Sequence, residues 1–401
     1  MSGIYEALGV RTIINGKGTS TRVSGGLMVP EVAKAMVEAS RHCVDMWTLQ
    51  GRASEIIASA TGAEAGLVTS GAAAGLLLGT AACVAGLDPV HMNRLPDTSG
   101  MKNEVVVARS HRNFYDHAVR TVGVRLIEVG ISDRFAGAGV RDVEAWEIDA
   151  AITERTAAVL YLAQPHSLPA LPEVIRVAHA KGAPVLVDAA GQLPPAANLR
   201  RFIAEGADLV AFSGGKAIGG PQSSGILCGR RDLIGSAALQ CLDADIHYAQ
   251  WNPPTSLVDK TVVPGLPQHG IGRPCKAGKE EIVGLLTALR LFFDEEAQAR
   301  RHVAWQALAQ ELHDGLKGMS HVECALMADS YRPGIPGVRL TVDEAAAGRT
   351  AFDLALDLQN GEPSIQIDMG RVRDGVIGIS AMCLEPGHPA VIALRLRQIL
   401  G

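Results

Sequence analysis

Lys216 stands in Ser213-Gly214-Gly215-Lys216, where the apolar run Leu209 to Phe212 gives way to a glycine-rich turn through Gly219, Gly220 and Pro221. A second apolar run, Gly225 to Cys228, follows. A lysine at the mouth of such a turn is held away from bulk water and close to backbone N–H groups. Desolvation lowers an ammonium pKa, and the neutral amine can then attack an aldehyde, such as that of pyridoxal 5'-phosphate, to form a Schiff base. An ordinary lysine on an exposed turn has the same local sequence, so Lys216 alone does not decide the chemistry.

Two upstream features add weight to it. Ala183-Pro-Val-Leu-Val-Asp188-Ala-Ala-Gly-Gln192 is an apolar run ending in a carboxylate and small residues, as a buried parallel strand ends. Asp188 then sits at the carboxyl edge of the sheet, where open α/β folds bind ligands, and a carboxylate there can keep a pyridinium nitrogen protonated. A helix cap or a metal ligand is the alternative. Leu67-Val-Thr-Ser70-Gly71-Ala72-Ala-Ala-Gly75 is a short strand running into a small-residue helix start. Its free N–H groups, the Ser70 hydroxyl and the helix dipole suit a phosphate.

These elements must be carried by a strand–helix alternation, and residues 66–229 show one, which predicts a mostly parallel sheet covered on both faces. Strands are expected at Glu104–Ala108, Val124–Val129 and Thr156–Leu162, and helices at Pro30–Arg41, Leu49–Thr61, Ala72–Ala85, Leu171–Lys181 and Asp232–Leu242. Residues 89–102 read as an irregular loop, and Val140, Val143 and Ile148 as core positions. Glu280 to Leu316 reads as one long helix, followed by strands near 338–342, 364–368 and 375–380 and a closing helix from Pro389. The expected division is an N-terminal arm with a large domain over 1–265, then a connection and small α+β domain over 266–401.

Phosphate cup, aspartate and lysine, in that order and each at a strand end, resemble the fold-type I pyridoxal-phosphate enzymes (aspartate aminotransferase-like). Within them the chain is most similar to the group holding bacterial selenocysteine synthase and D-glucosaminate-6-phosphate ammonia-lyase. The likeness is carried by IYEALGVRTIINGKGT, TGAEAGLVTSGAAAG, VLVDAAGQLPP, DLVAFSGGKAIGGPQSSG and GRPCKAGKEEIVGLLTAL. It implies a ring from His111 stacked on the cofactor, with Ser70, Gly71, Ala72, Gln192 and Ser213 as further cofactor contacts. It also implies that Arg273, with His269 and Lys276, reaches a neighbouring subunit's cofactor phosphate in a homodimer or larger homo-oligomer. In the resembling enzymes the N-terminal arm lines the active-site entrance, nominating Asn15, Lys17 and Arg22 for substrate. Gln164 and His166 fall at the same sheet edge as Asp188 and are further candidates to touch substrate, backbone capping being the alternative for His166. The arginine that many relatives use for the substrate carboxylate is replaced here by Ser380-Ala-Met382-Cys383, leaving Arg371 or Arg373 as substitutes. For the basic residues, plain solvation at the surface is the competing reading.

The resemblance implies a lyase acting on a β-hydroxy amino acid, sugar-derived or D-configured, to give a 2-keto acid and ammonia. An amino-acid racemase, a selenium transferase-like β-replacement enzyme and a non-catalytic cofactor-binding protein are the alternatives. In 401 residues with a formal charge of −5, 47% hydrophobic and 20% charged residues, nothing suggests a broad basic surface, so nucleic acid is not an expected partner. Seven scattered cysteines without a CxxC pair argue against a disulfide framework or a metal site and for a reducing cytoplasm. The start lacks a signal-peptide pattern, and the apolar stretch Gly66–Gly86 fits strand plus buried helix better than a membrane span.

Overall fold

The computed structural model describes residues 3–131, 142–329 and 334–400. It divides into two units, Met28–Leu289 and Met1–Leu27 with Arg290–Gly401. In chain order the strands are β1 (Ile13–Gly16), β2 (Ala65–Thr69), β3 (Glu104–Ala108), β4 (Arg125–Val129), β5 (Thr156–Leu162), β6 (Val185–Asp188), β7 (Leu209–Ser213) and β8 (Gly225–Gly229). β9 (Val322–Met327), β10 (Gly337–Val342), β11 (Ser364–Ile367) and β12 (Val376–Ser380) follow.

The larger unit is built on a seven-stranded sheet in the order β2-β8-β7-β6-β5-β3-β4. Only β8 runs against its neighbours; the pairs among β7, β6, β5, β3 and β4 are parallel. Sheets of this kind are covered on both faces, which is why β5 to β8 carry apolar or small residues at successive positions rather than alternating ones. Leu186, Val187, Leu209, Val210, Ala211 and Phe212 are all essentially inaccessible.

The helix Ala72–Ala85 is apolar all round because it is buried all round. Two glycines let it lie close to the sheet: a Cβ at Gly75 would stand 3.3 Å from Ala211 Cβ, and one at Gly79 would stand 3.1 Å from a Leu186 methyl. The Gly66–Gly86 stretch is thus the strand and buried helix expected. Among the described residues no helix is long and apolar enough to cross a membrane.

In the smaller unit β1 pairs in parallel with β11, and β12-β10-β9 form an antiparallel sheet. Val338, Leu340, Val342, Ile377 and Ile379 pack with Leu312, Leu354, Ile365 and Ile392 into its core. The arm therefore belongs with the C-terminal residues and not with the large domain, because Ile13 to Gly16 complete a sheet with Ser364 to Ile367. The boundary falls after Leu289 rather than Gly265.

Two further expectations change. Pro89–Arg94, read as loop, is a short helix capped by Asp88, whose side chain accepts from the Val90 N–H. The long C-terminal helix is two helices, Lys279–Phe293 and Glu295–Leu316, because Asp294 leaves helical conformation and its carboxylate caps the second through the Ala297 N–H. Val143 and Ile148 are buried as expected; Val140 lies outside the described residues.

Candidate active site

β6 delivers Asp188 to the carboxyl edge of the larger sheet, where its side chain is 6% exposed. Oδ1 accepts the Ala190 N–H at 3.1 Å. Burial pushes this carboxyl above its ordinary pKa, against the opposing pull of the Ala190 N–H, the Lys216 cation and an Asn113 side-chain hydrogen bond. A buried carboxylate in that state gains most from a further cationic or N–H partner, such as a protonated pyridine nitrogen. Asn113 was not nominated from sequence; an Asn two residues after a candidate histidine is a signal readable only once the turn is known.

Lys216 sits half-buried in the turn between β7 and β8. The turn doubles back tightly: Gly214 N–H donates to the Ser224 carbonyl at 2.9 Å, and Gly220 N–H to that of Gly214 at 2.9 Å. A Cβ at Gly215 would lie 2.6 Å from Gln222 Cα, so only glycine allows the fold-back that presents the lysine. Lys216 acts on Asp188 electrostatically, so the structure brings these two together. Ser213 ends β7, half-buried, and Gln192 lies in the turn after Asp188, its N–H on the Ala189 carbonyl at 3.0 Å.

His111 follows β3 in a short 3-10 turn and is 3% exposed. The Tyr161 ring meets it edge-on at 4.8 Å and 82°, which fixes its plane. Nδ1 accepts from the Leu162 N–H at 3.5 Å, and Nε2 is buried without a partner among the described residues. Burial lowers its pKa from 6.5 to about 4, Asp142 opposing, so the ring is neutral over the physiological range. Gln164 is exposed just beyond β5, past the Leu162–Asp188 register pair. His166, two residues on, is exposed too.

The cup opens at Gly71, whose φ of +123° suits glycine, and no side chain caps the helix that begins at Ala72. Gly225 of β8 lies directly against it: a Cβ there would stand 2.5 Å from Gly71 C and 2.7 Å from Ala72 N. The Ser70 hydroxyl behaves differently from expectation, donating to the Cys275 carbonyl at 2.8 Å. That bond ties the turn Arg273–Cys275 to the cup. Arg273 itself pairs with Asp243 at 2.7 Å and lines, with Asp245, His269 and Lys276, an open depression of about 550 Å³.

A pyridoxal-phosphate group fits these residues: an uncapped helix start for its phosphate, an electron-rich buried carboxylate for its ring nitrogen, an unpartnered buried Nε2 and an amine. Of the nominated substrate residues, Gln164 lies in the larger unit and Asn15, Lys17, Arg22 and Arg371 in the smaller one. There Asn15 is fully engaged in its own turn, donating to Gly18 and Gly25 carbonyls and accepting from Lys17 and Gly18 N–H groups. These bonds shape the arm. Arg22 donates to Gln366 at 2.6 Å, and Lys17 and Arg371 line one cavity. Arg373 lies in the short turn Val372–Asp374.

Residues 48–244 match the family model of L-seryl-tRNA selenium transferase. A 5'-C-glycyluridine monooxygenase-decarboxylase from a Streptomyces species is 33% identical over 409 residues, covering 99% of this chain and 92% of that protein. The chain belongs to the selenocysteine synthase-like family of fold-type I pyridoxal-phosphate enzymes. In this family it also resembles the D-glucosaminate-6-phosphate ammonia lyase of Salmonella typhimurium, 29% identical over 99% of this chain and 97% of the relative. A solved D-glucosaminate-6-phosphate ammonia-lyase superposes with a TM-score of 0.81 at 29% identity, covering 100% of this chain and 98% of the other. The complex of SepCysS with the SepCysE N-terminal domain shares the fold, with a TM-score of 0.56 at 15% identity.

Proposed function

We propose that this enzyme removes water and then ammonia from a β-hydroxy-α-amino acid bearing a sugar-like chain, releasing a 2-keto acid. The observation that carries the reading is the buried Asp188 coupled to the half-buried Lys216 at one sheet edge, in the same unit as an uncapped helix start and the unpartnered Nε2 of His111. Similarity over nearly the full chain to an ammonia lyase for D-glucosaminate 6-phosphate supports the reaction class. When bound, pyridoxal phosphate supplies an electron sink that acidifies the amino acid's α-proton.

Each residue then has a task. The Lys216 amine would hold the cofactor and is the base that would take the substrate's α-proton. The Asp188 carboxylate, oriented by Asn113 and the Ala190 N–H, keeps a proton on the ring nitrogen. With the cofactor bound, the N–H groups of Gly71 and Ala72 would hold its phosphate, and Ser213 and His111 would contact it. The β-hydroxyl leaves with a proton as water, and the same water equivalent is regained when the product nitrogen is released as ammonia, so atoms balance.

A second reading rests on the Streptomyces relative, whose name describes oxygen insertion and loss of carbon dioxide from a glycyl-substituted nucleoside. There the electrons released at the α-carbon go to dioxygen. Incubating the cofactor-loaded enzyme with 2-amino-2-deoxygluconate, its 6-phosphate and simpler β-hydroxy amino acids of both configurations tests the choice. Ammonia and keto acid in equal amounts without oxygen uptake support elimination. Oxygen consumption matched by carbon dioxide release replaces it with the second reading.

A further inference from the structure

The smaller unit holds a cavity of about 90 Å³ beside its antiparallel sheet, room for several water-sized groups. Along β10, Val338, Leu340 and Val342 point into the core, so Arg339 points to the opposite face, where it is half-buried. Its cross-strand partners are Gly378 and Ala325, and the missing side chain at Gly378 is what leaves space beside the guanidinium. Ser380, two residues along the same face and 2% exposed, keeps its hydroxyl proton available, since its Oγ only accepts from the Met382 N–H at 3.4 Å.

Lys17 reaches the same cavity from the arm. The Gly16–Ile367 register pair sets Lys17 beside Asp368, and the Asn15 side chain fixes its backbone N–H at 3.0 Å. Arg371 completes the lining but is bound to Asp374 at 3.1 Å. Three cations thus line the cavity with one carboxylate, Asp368, while Asp374 pairs with Arg371. Neither Lys17 nor Arg339 makes a side-chain hydrogen bond or ion pair among the described residues. Lys17 and Arg339, both half-buried and neither in direct contact with the lining carboxylate of Asp368, leave an excess of positive charge that, with a free hydroxyl donor, a compact oxyanion satisfies: an arginine fork, an ammonium and an O–H.

We infer that this cavity is an oxyanion site, taking the carboxylate or phosphate ester of a small polar ligand, with Arg339 as its main donor and Lys17 and Ser380 in support. That the anion belongs to the substrate rests on the reading above; the site itself does not.

Calorimetric titration of the cofactor-loaded protein with inorganic phosphate, gluconate and gluconate 6-phosphate tests it. Arg339→Gln is expected to weaken binding at least tenfold, Arg339→Lys less, and Lys17→Gln several-fold, with the visible spectrum unchanged. Gly378→Ala adds a methyl to the cavity while meeting only Asp368 at 3.5 Å, so it tests occupancy without losing charge or fold. It too is expected to weaken binding. A tenfold loss for the phosphate compounds alone makes the ligand group a phosphate ester; a matching loss for gluconate makes it a carboxylate. Affinities equal to wild type within twofold in both Arg339→Gln and Gly378→Ala, or no binding of any of the three anions, overturn the site. A missing cofactor spectrum with intact anion binding instead refutes the functional reading and leaves the site standing.

Discussion

At the scale of single residues, the candidate site is two ionisable groups pushed in opposite directions by burial. Asp188 carries a burial cost that the Ala190 N–H, Lys216 and Asn113 oppose without cancelling. Asp188→Asn should lower turnover by about 100-fold or more, yet leave the cofactor-free protein at least as stable at pH 7 in a denaturant melt. A marked loss of stability in the cofactor-free protein would make Asp188 a structural carboxylate. His111 gives the opposite sign. Its folded pKa lies below its ordinary 6.5, at about 4, so the unfolded chain binds the extra proton first. Stability is full above pH 6.5 and falls as pH drops towards 4, by up to about 3 kcal/mol. His111→Phe should flatten that part of the pH–stability curve, and an unchanged slope would mean the ring is accessible to water. Lys216 and Asp188 were nominated because each stands at a recognisable strand end, and His111 through the family likeness. Asn113 and Arg339 were not. A polar residue in an alternating strand reads as a solvated one until the register shows that a glycine stands across from it.

Elements decide whether those side chains arrive. The turn holding Lys216 and the close approach of β8 to the cup both depend on glycines packed against backbone, which cannot yield as a side chain can. Gly225→Val should cost about 2–4 kcal/mol and abolish cofactor retention, read by denaturant midpoint and visible absorbance together. Normal retention would remove the cup from the account. Asp294→Ala should cost only about 1 kcal/mol, the usual value of a helix cap, with turnover unchanged. Here the sequence was readable in part. Apolar spacing ran on across Phe292 and Phe293 and hid the break, although Asp294 followed by Glu295 and Glu296 is an N-terminal signature in its own right. The strand ends of β3 and β5 were legible to the residue because each apolar run is bounded by charged or turn-forming neighbours.

For the whole molecule, every proposed cofactor contact from Ser70 to Lys216 lies in the unit Met28–Leu289. Binding should therefore add about 2.7 kcal/mol of protection at 100 times the dissociation constant. Hydrogen–deuterium exchange should place that gain around residues 70–74, 111–113 and 188–192. A gain confined to 1–27 and 290–401 would contradict the assignment. The arm's place was invisible in sequence, since β1 pairs with β11 some 350 residues away and nothing local to Ile13–Gly16 names that partner. The parallel sheet was visible because its strands recur with helices between them.

The most direct test of the central claim is reduction of the purified, cofactor-loaded protein with borohydride, followed by peptide mapping beside Lys216→Ala. The account predicts a visible band lost on reduction, the cofactor mass fixed to the peptide containing Lys216, and neither in the variant. A cofactor mapped to another lysine, or no band even with added pyridoxal phosphate, would contradict it.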